Sequence, residues 1–337
     1  MEILSNYPLK NLNTFGIAAY AKEYVSVTSV EELKLVLKEN QGKKLFILGG
    51  GSNMLLTQDI DALVIHINLK GIEVVAENNG TAQVKAMAGE NWHGFVQYCI
   101  NHNYGGVENL SLIPGNVGTT PIQNIGAYGT EIKDTMIQCE ALHIATQELR
   151  TFTNAECEFA YRESIFKSEL KGQYIIVSVT FGLTTANHKI NTAYGDITAQ
   201  LSAKGITSPT IKDVSEAVTA IRQSKLPDPK ELGNSGSFFK NPIIPKAQYE
   251  ALHEKFPDMP HYVVSETQVK VPAGWLIEQS GFKGSRFGDA GVHTRQALVI
   301  VNYGNATGQE LVNLSKKIQQ TVYDNYGIAI EAEVNIV

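Results

Sequence analysis

The chain has 337 residues, of which 43% are hydrophobic and 18% charged, proportions typical of globular domains with buried cores. Its formal net charge of −6 and its lack of Lys/Arg runs argue against a nucleic-acid partner. The sequence contains no window apolar enough to span a membrane and no signal-peptide core at its start, so we expect no membrane partner and a cytoplasmic location.

Helix and strand signals alternate in the first half of the chain. Ser29, three residues before Glu32, has the capping-box spacing and predicts a helix over 29–40, followed by a short apolar strand that runs into glycines. Three further strands are predicted over 61–69, 72–77 and 81–89, and then a helix over 90–103. This order predicts a mixed arrangement of helices and strands.

The second half begins with a helix whose capping residue we predict to be Asp213, with Glu216 as its capping-box partner. Pro227 and Pro229 then interrupt the chain, which indicates a domain boundary. A long helix over 308–327 is predicted to end at Gly327, because glycine is the preferred residue just after a helix.

The closing residues, 328–337, read IAIEAEVNIV and alternate as a strand does. Such a strand would place Ile330, Ala332, Val334 and Ile336 on one face and Glu331, Glu333 and Asn335 on the other. Two carboxylates then share one side. They are either a solvated edge face or an acid/base pair held on a rigid element.

Two glycine-rich segments are candidates for ligand binding. The first candidate is LGGGSNMLL (48–56), and its part LGGGSN (48–53) is here called the first glycine segment; it follows a predicted strand, and its glycines would let backbone N–H groups approach an anion. It matches neither GxGxxG nor the Walker pattern, and a simple turn is the alternative. The second glycine segment, IPGNVGTTPIQNIGAYG (113–129), has the character of a wall against a large, flat, neutral ligand; a long structural loop is the alternative.

A third segment, GNSGSFFKNP (233–242), here called the serine segment, is too glycine-rich for a helix interior and too apolar for a solvated loop. Ser237 lies in it without a neighbouring histidine in the sequence. The chain has no GxSxG or HExxH motif, no histidine pair at metal-ligand spacing and no CxxC. We therefore expect no metal site, reduced packing roles for Cys99, Cys139 and Cys157, and structural roles for His93 and His293.

These segments, with YRESIFK (161–167), LPDPKELGNSGSFFKNP (226–242), AGWLIEQSG (273–281) and EAEV (331–334), resemble the UDP-N-acetylenolpyruvoylglucosamine reductases of bacterial cell-wall synthesis. The resemblance extends from about Asn11 to the C-terminus, in the same order and at similar spacing. AYGD (193–196) is similar to the tyrosine loop of the family's longer subtype, which closes over the substrate.

The resemblance implies an α+β protein with an FAD-binding fold of the vanillyl-alcohol-oxidase type, which is built from two α+β subdomains, and a smaller α+β substrate-binding domain. The implied domains are 1–70 and 71–226 for FAD, with 327–337 returning to the second of them, and 227–326 for substrate. The implied cofactor is non-covalent FAD. NADPH would reduce it, and the hydride would then pass to the enolpyruvyl ether of UDP-N-acetylglucosamine-enolpyruvate to give UDP-N-acetylmuramate.

The resemblance also implies residue roles. Arg162 and Glu333 would stabilise the enolate that follows hydride addition, and Ser237 would protonate it, because so basic a carbon needs no activated serine. The implied substrate contacts are Tyr194, Arg222, Lys225 and Asn241. The implied FAD contacts are Gly49, Gly50, Gly51, Ser52, Asn53, Pro114, Gly115, Gly118, Thr119, Gln123, Asn124, Gly126, Ala127 and Tyr128. Asn335 departs from the family, in which a basic residue often follows the EV pair, so a ligand contact at that position is in question.

Two other functions fit the same segments. A flavin oxidase of the same superfamily would commonly tether its flavin through His or Cys, but neither His66 nor Cys99 lies in such a motif. A nucleotide-sugar-binding protein without turnover would keep the glycine segments but would not need Arg162, Ser237 and Glu333 together. We expect a monomer, because no exposed apolar repeat or heptad calls for a partner.

Overall fold

A computed structural model describes residues 2–337 of the chain. The chain folds into two compact units. The first unit comprises Ala21–Gly50 and Ile60–Gln223 together with the N-terminal residues up to Tyr7. The second unit comprises Pro8–Tyr20, Gly51–Asp59 and Ser224–Val337. The three-domain division drawn from the sequence stays a prediction.

The helices and strands of the described residues are numbered in chain order. The helices are α1 (Val30–Glu39), α2 (Trp92–Asn101), α3 (Gly195–Ala203), α4 (Ile211–Lys225), α5 (Lys246–His253), α6 (Ala273–Gln279) and α7 (Gly308–Tyr326). The strands are β1 (Leu4–Pro8), β2 (Tyr20–Val27), β3 (Leu45–Leu48), β4 (Met54–Leu55), β5 (Ile60–Ile67), β6 (Ile72–Asn78), β7 (Thr81–Met87), β8 (Gly126–Ala127), β9 (Thr130–Glu131), β10 (Met136–His143), β11 (Leu149–Thr153), β12 (Tyr174–Thr184), β13 (Gly233–Asn234), β14 (Ile243–Pro245), β15 (Tyr262–Val263), β16 (Gln268–Lys270), β17 (Arg286–Phe287), β18 (Ala290–Val292), β19 (Ile300–Asn302) and β20 (Asn335–Ile336).

Two sheets form most of the first unit. The smaller has the order β1-β2-β5-β3, in which β2 and β3 both pair in parallel with β5. The larger, β11-β10-β12-β7-β6, is antiparallel throughout. Its core holds a cluster of aromatic rings from α2 and β12, in which Phe95 and Phe181 lie 4.8 Å apart and Trp92 packs on both. This cluster fixes the start of α2, which matters for the site below.

The second unit contains a four-stranded sheet, β13-β19-β18-β17, a three-stranded sheet, β14-β16-β15, and the parallel pair β20-β4. Its longest helix, α7, begins with a capping box between Thr307 and Glu310 and ends at Gly327, whose φ of 63° is left-handed. The predicted C-terminal end of this helix is therefore confirmed.

Two predictions about local structure are wrong. Helix α4 begins at Ile211, before the predicted cap: Thr210 and Asp213 exchange the capping hydrogen bonds, so Asp213 is the partner of the cap and not the cap. The buried side chain of Ile211 explains the earlier start, because the first helical turn contributes to the core.

The closing residues are not one regular strand. Ala332 makes an isolated antiparallel bridge with Phe239. Further along the segment, Asn335 and Ile336 form β20 and pair in parallel with β4. Ile330 and Val334 are buried as the alternation predicts, but Ile336 is 47% exposed. The segment changes partner part-way, so one face is not buried throughout.

Cys99, Cys139 and Cys157 are buried free thiols, as predicted for packing residues. Burial raises the pKa of the Cys99 thiol far above its ordinary value, which makes it a poor nucleophile. None of the helices within residues 2–337 has both the length and the apolar character that a membrane-crossing helix requires.

Candidate flavin and substrate site

In the first unit, the first glycine segment contacts the second. A Cβ added to Gly50 would lie 2.9 Å from Oδ1 of Asn116 and 3.0 Å from Cα of Gly115, and one added to Gly49 would lie 2.7 Å from Cγ2 of Thr119. Strand β3 delivers Gly49 and Gly50 to this position. Only glycine allows so close an approach at these positions, so the two segments pack directly against each other.

The second glycine segment is also docked on the chain that follows β7. The N–H of Gly118 donates to the carbonyl of Ala88 at 2.9 Å, and the N–H of Val117 donates to Glu90 at 2.8 Å. A Cβ at Gly118 would lie only 2.4 Å from the Cβ of Ala88. A larger residue at position 118 would push the segment off its support.

Arg162 is bound to the far end of the same segment. Its Nη1 donates to the carbonyl of Asn124 at 3.3 Å and its Nη2 to that of Gly126 at 2.6 Å. The Asn124 side chain is buried; it donates to the carbonyl of Ala160 and accepts from the N–H of Lys133, both at 3.1 Å. Its amide therefore holds the loop, and any ligand contact at 124 falls to the main chain.

Tyr194 lies against this segment as well. Its ring meets that of Tyr128 edge-on, with centroids 5.6 Å apart. Tyr194 caps α3 and is 48% exposed, so its ring is accessible from solvent. Gln123 and Ala127, the remaining predicted contacts here, are half-buried.

In the second unit, the serine segment presents Ser237 on a rigid base. Gly236 has a φ of +69°, and its N–H donates to Oδ1 of the buried Asn234 at 2.9 Å. Ser237 is exposed, whereas the two following residues, Phe238 and Phe239, are buried with their rings 5.1 Å apart. The two buried rings anchor the chain directly after the exposed serine.

The closing residues run beside the serine segment. The N–H of Lys240 donates to the carbonyl of Glu331 at 2.9 Å, and the N–H of Glu333 donates to that of Phe238 at 2.8 Å. This pairing holds the backbone of Glu333 next to Phe238, the residue after Ser237. The two predicted catalytic residues of the second unit are therefore brought together by main-chain bonds.

The end of the first glycine segment is tied to the same place. Nδ2 of Asn53 donates to the carbonyl of Glu333 at 3.4 Å, and Nδ2 of Asn335 donates to the carbonyl of Asn53 at 2.8 Å. The Asn335 side chain, whose role the sequence leaves in question, thus bonds within the protein. Gly51 is needed here because a Cβ at that position would lie 1.9 Å from the carbonyl oxygen of Leu12.

The remaining predicted substrate residues lie on separate elements. Lys225 is the exposed last residue of α4. Oδ1 of Asn241 accepts from the N–H of Ala273 at 2.9 Å, which caps α6. Arg222 donates from Nε to the carbonyl of Leu112 at 3.3 Å, and burial lowers the pKa of its guanidinium. His93 bonds to the same Leu112 residue; no sequence pattern signals this contact, since a lone histidine on a helix is usually structural.

The fold is that of a flavoprotein: an FAD-binding fold of the vanillyl-alcohol-oxidase type, as predicted. The profile of an FAD binding domain matches residues 21–152, and that of the C-terminal domain of UDP-N-acetylenolpyruvoylglucosamine reductase matches residues 228–337. The chain belongs to the UDP-N-acetylenolpyruvoylglucosamine reductase family. It is an oxidoreductase, and its cofactor is FAD.

Relatives that match over their full length support the assignment to this family. The chain is 68% identical over 337 residues to the UDP-N-acetylenolpyruvoylglucosamine reductase of Flavobacterium johnsoniae, covering 100% of both chains. It is 48% identical to that of Chromobacterium violaceum, covering 99% of this chain and 98% of the relative.

Solved structures support the fold. The reductase from Thermus caldophilus superposes with a TM-score of 0.69 at 22% identity, covering 99% of this chain and 98% of that one. A solvent-stable cholesterol oxidase superposes with a TM-score of 0.50 at 12% identity, covering 98% of this chain and 86% of that one.

Proposed function

We propose that the chain reduces UDP-N-acetylglucosamine-enolpyruvate to UDP-N-acetylmuramate in peptidoglycan precursor synthesis, with NADPH as the hydride donor. The observation that carries the proposal is the 68% identity, over the whole of both chains, to a reductase of that name. The same proposal places the enzyme in the cytoplasm as a monomer that needs neither nucleic acid nor membrane.

The two glycine segments are proposed to hold the cofactor non-covalently. Their peptide groups, together with the Ser52 hydroxyl, suit the pyrophosphate, because backbone N–H groups bind phosphate oxygens well where glycine allows close approach. When bound, FAD supplies the hydride chemistry.

Arg162 is proposed to hold the substrate's enolpyruvyl carboxylate. Hydride addition to the double bond builds negative charge on that group, and a guanidinium stabilises it with charge-assisted hydrogen bonds. The bonds from Arg162 to the carbonyls of Asn124 and Gly126 support this role, because they fix the orientation of the guanidinium before substrate arrives.

Ser237 is proposed to donate its Oγ proton to the substrate carbon next to the carboxylate. The carbon is strongly basic after hydride addition, so an ordinary hydroxyl serves as the acid and no histidine is required. The exposure of Ser237 above two buried phenylalanines supports this role, since the hydroxyl is accessible while its backbone is fixed.

Glu333 is proposed to polarise the same enolpyruvyl group. Its support is the main-chain bond to Phe238, which holds it beside the serine segment. Tyr194, Arg222, Lys225 and Asn241 are proposed to contact the rest of the substrate, with the cations suited to its two phosphates.

An anaerobic visible spectrum tests the proposal. We expect NADPH to bleach the bound flavin and UDP-N-acetylglucosamine-enolpyruvate to restore its colour without oxygen. If oxygen alone restored the colour, the oxidase function would replace the proposed one. If NADPH left the spectrum unchanged, a binding protein without turnover would fit better.

A further inference from the structure

His93, in the first turn of α2, takes no part in the function proposed above. Its Nδ1 accepts a hydrogen bond from the backbone N–H of Leu112 at 2.9 Å. Arg222, which comes from α4, donates from Nε to the carbonyl of the same Leu112 at 3.3 Å. Two side chains from different helices therefore hold both backbone polar groups of one residue.

Leu112 needs such a hold because its φ of 59° lies in the left-handed region, which is costly for a residue with a Cβ. It directly precedes the second glycine segment. The backbone angles of Leu112 thus set the direction in which that segment leaves the core.

The residues around Leu112 are anchored by the same two helices. The indole N–H of Trp92 donates to the carbonyl of Leu110 at 2.9 Å, and the backbone N–H of Trp92 donates to Gly115 at 2.9 Å. The hydroxyls of Ser111 and Ser215 lie 2.8 Å apart. His93 is the member of this framework that gains a charge when the solution becomes mildly acidic.

We infer that His93 and Arg222 are positioning residues for the FAD site: by holding Leu112 from both sides they preset the second glycine segment for the cofactor. The inference rests on the proposed assignment of that segment to FAD. It extends the role of Arg222 beyond substrate contact and gives His93 a role in cofactor binding.

Protonation of His93 would remove the hydrogen bond that it accepts from Leu112. The bond from the Leu112 N–H requires a lone pair on Nδ1, so the proton of the neutral ring lies on Nε2. A second proton would turn the acceptor into a donor and place a cation near Arg222, the charged side chain that acts on this ring. Burial, and then the Arg222 charge, lower the pKa of His93 below its ordinary value of about 6.5.

Protonation of His93 should weaken FAD binding. FAD binds the form with neutral His93, so protons compete with the cofactor. Affinity should be constant at neutral pH and should fall as the pH drops through the pKa of His93, which in the folded chain lies below its ordinary value of about 6.5.

The test measures FAD affinity of the apo chain by quenching of flavin fluorescence, from about pH 8 to about pH 5, the range in which histidine titrates. In His93→Asn, the side-chain oxygen accepts from the same N–H but does not titrate; it should bind FAD nearly as the parent at neutral pH and lose the acid weakening. His93→Ala should bind roughly five- to tenfold more weakly even at neutral pH, the effect of one lost hydrogen bond.

His66→Asn is the matched control. His66 also lies in the first unit, its ring bonds to Tyr24, and burial lowers its pKa, so it would titrate in the same range. This variant should keep the acid weakening of the parent. A second readout needs no cofactor: long-range nitrogen–proton NMR of the apo chain should show His93 with its proton on Nε2.

Two outcomes overturn the inference: parallel acid weakening in the parent and His93→Asn, or a proton on Nδ1 in the apo chain. Should His93→Ala lose its native circular dichroism spectrum, His93→Asn and the NMR readout decide the question. Failure of the underlying assignment gives a different result, because Gly118→Ala would then bind FAD as tightly as the parent.

Discussion

The backbone N–H of Glu333 donates a hydrogen bond to the carbonyl of Phe238 at 2.8 Å, and with the bond from Lys240 to Glu331 it joins the closing residues to the serine segment. Residues far apart in the sequence thereby share one rigid surface. A side chain that must polarise or protonate a substrate benefits from such support, because the geometry is fixed before the substrate binds.

Ser237→Ala should separate the two half-reactions. Bleaching of the flavin by NADPH should proceed as in the parent, while its reoxidation by the enolpyruvyl substrate should slow by about 100- to 10,000-fold, the usual contribution of a general acid. Anaerobic stopped-flow absorbance measures both rates. Ser237→Cys, which keeps an acidic proton, should recover part of the lost rate; equal slowing of both half-reactions in Ser237→Ala would refute the proton-donor role.

Glu333→Gln should also slow reoxidation by the substrate and spare flavin reduction. The amide keeps the shape of the side chain, and the backbone bond to Phe238 is unaffected, so the loss reports on the carboxyl group alone. Glu331→Gln is the matched control: its side chain is exposed two residues away on the same segment. Similar losses in both variants would point to a general effect of charge and would count against the assignment of Glu333.

Ser237 and Glu333 show how far the sequence predicts the site. The serine segment and the glutamates could be recognised from short motifs, because local composition reveals a glycine turn and an acidic pair. Their pairing could not, since it depends on a change of partner: Ala332 bridges Phe239, whereas Asn335 pairs with β4. A regular two-residue period therefore predicted a longer strand than the structure has.

The helices show the same division between local and long-range information. The end of α7 at Gly327 was predictable because the glycine requirement is local. The start of α4 was not, because Thr210–Asp213 and Asp213–Glu216 both have capping-box spacing. Burial of Ile211, a tertiary effect, selects the earlier cap.

Gly118→Ala should abolish or severely weaken FAD binding. The added methyl would lie 2.4 Å from the Cβ of Ala88 and displace the second glycine segment from its support. Gly94→Ala is the matched control, because its methyl would meet Asn91 at an ordinary 3.6 Å within α2. The control should bind FAD normally and gain roughly 0.5–1 kcal/mol of stability from better helix propensity. Flavin content after purification and thermal unfolding measure the two effects, and normal flavin content in Gly118→Ala would contradict the prediction.

Thr307→Ala should destabilise the second unit by about 1 kcal/mol, the usual cost of losing a helix cap. The Thr307 hydroxyl accepts from the Glu310 N–H at 3.2 Å and donates to its carboxylate at 2.8 Å, and the bonds that the Glu310 carboxylate accepts from Thr307 lower the pKa of Glu310. Because the pKa of Glu310 is lower in the folded chain than in the unfolded one, its ionised carboxylate stabilises the folded parent. This stabilisation should be lost as the pH falls from about 4.3 through the lowered pKa of Glu310, and Thr307→Ala should lose less of it. Thr321→Ala, at a half-buried position within the same helix, removes a hydroxyl that bonds only to the Lys317 carbonyl and caps nothing, so it should cost less than the loss of the cap. Urea unfolding of the parent and both variants, each at neutral pH and below the lowered pKa of Glu310, measures the difference, and an equal loss in Thr307→Ala and Thr321→Ala would show that the cap does not stabilise α7.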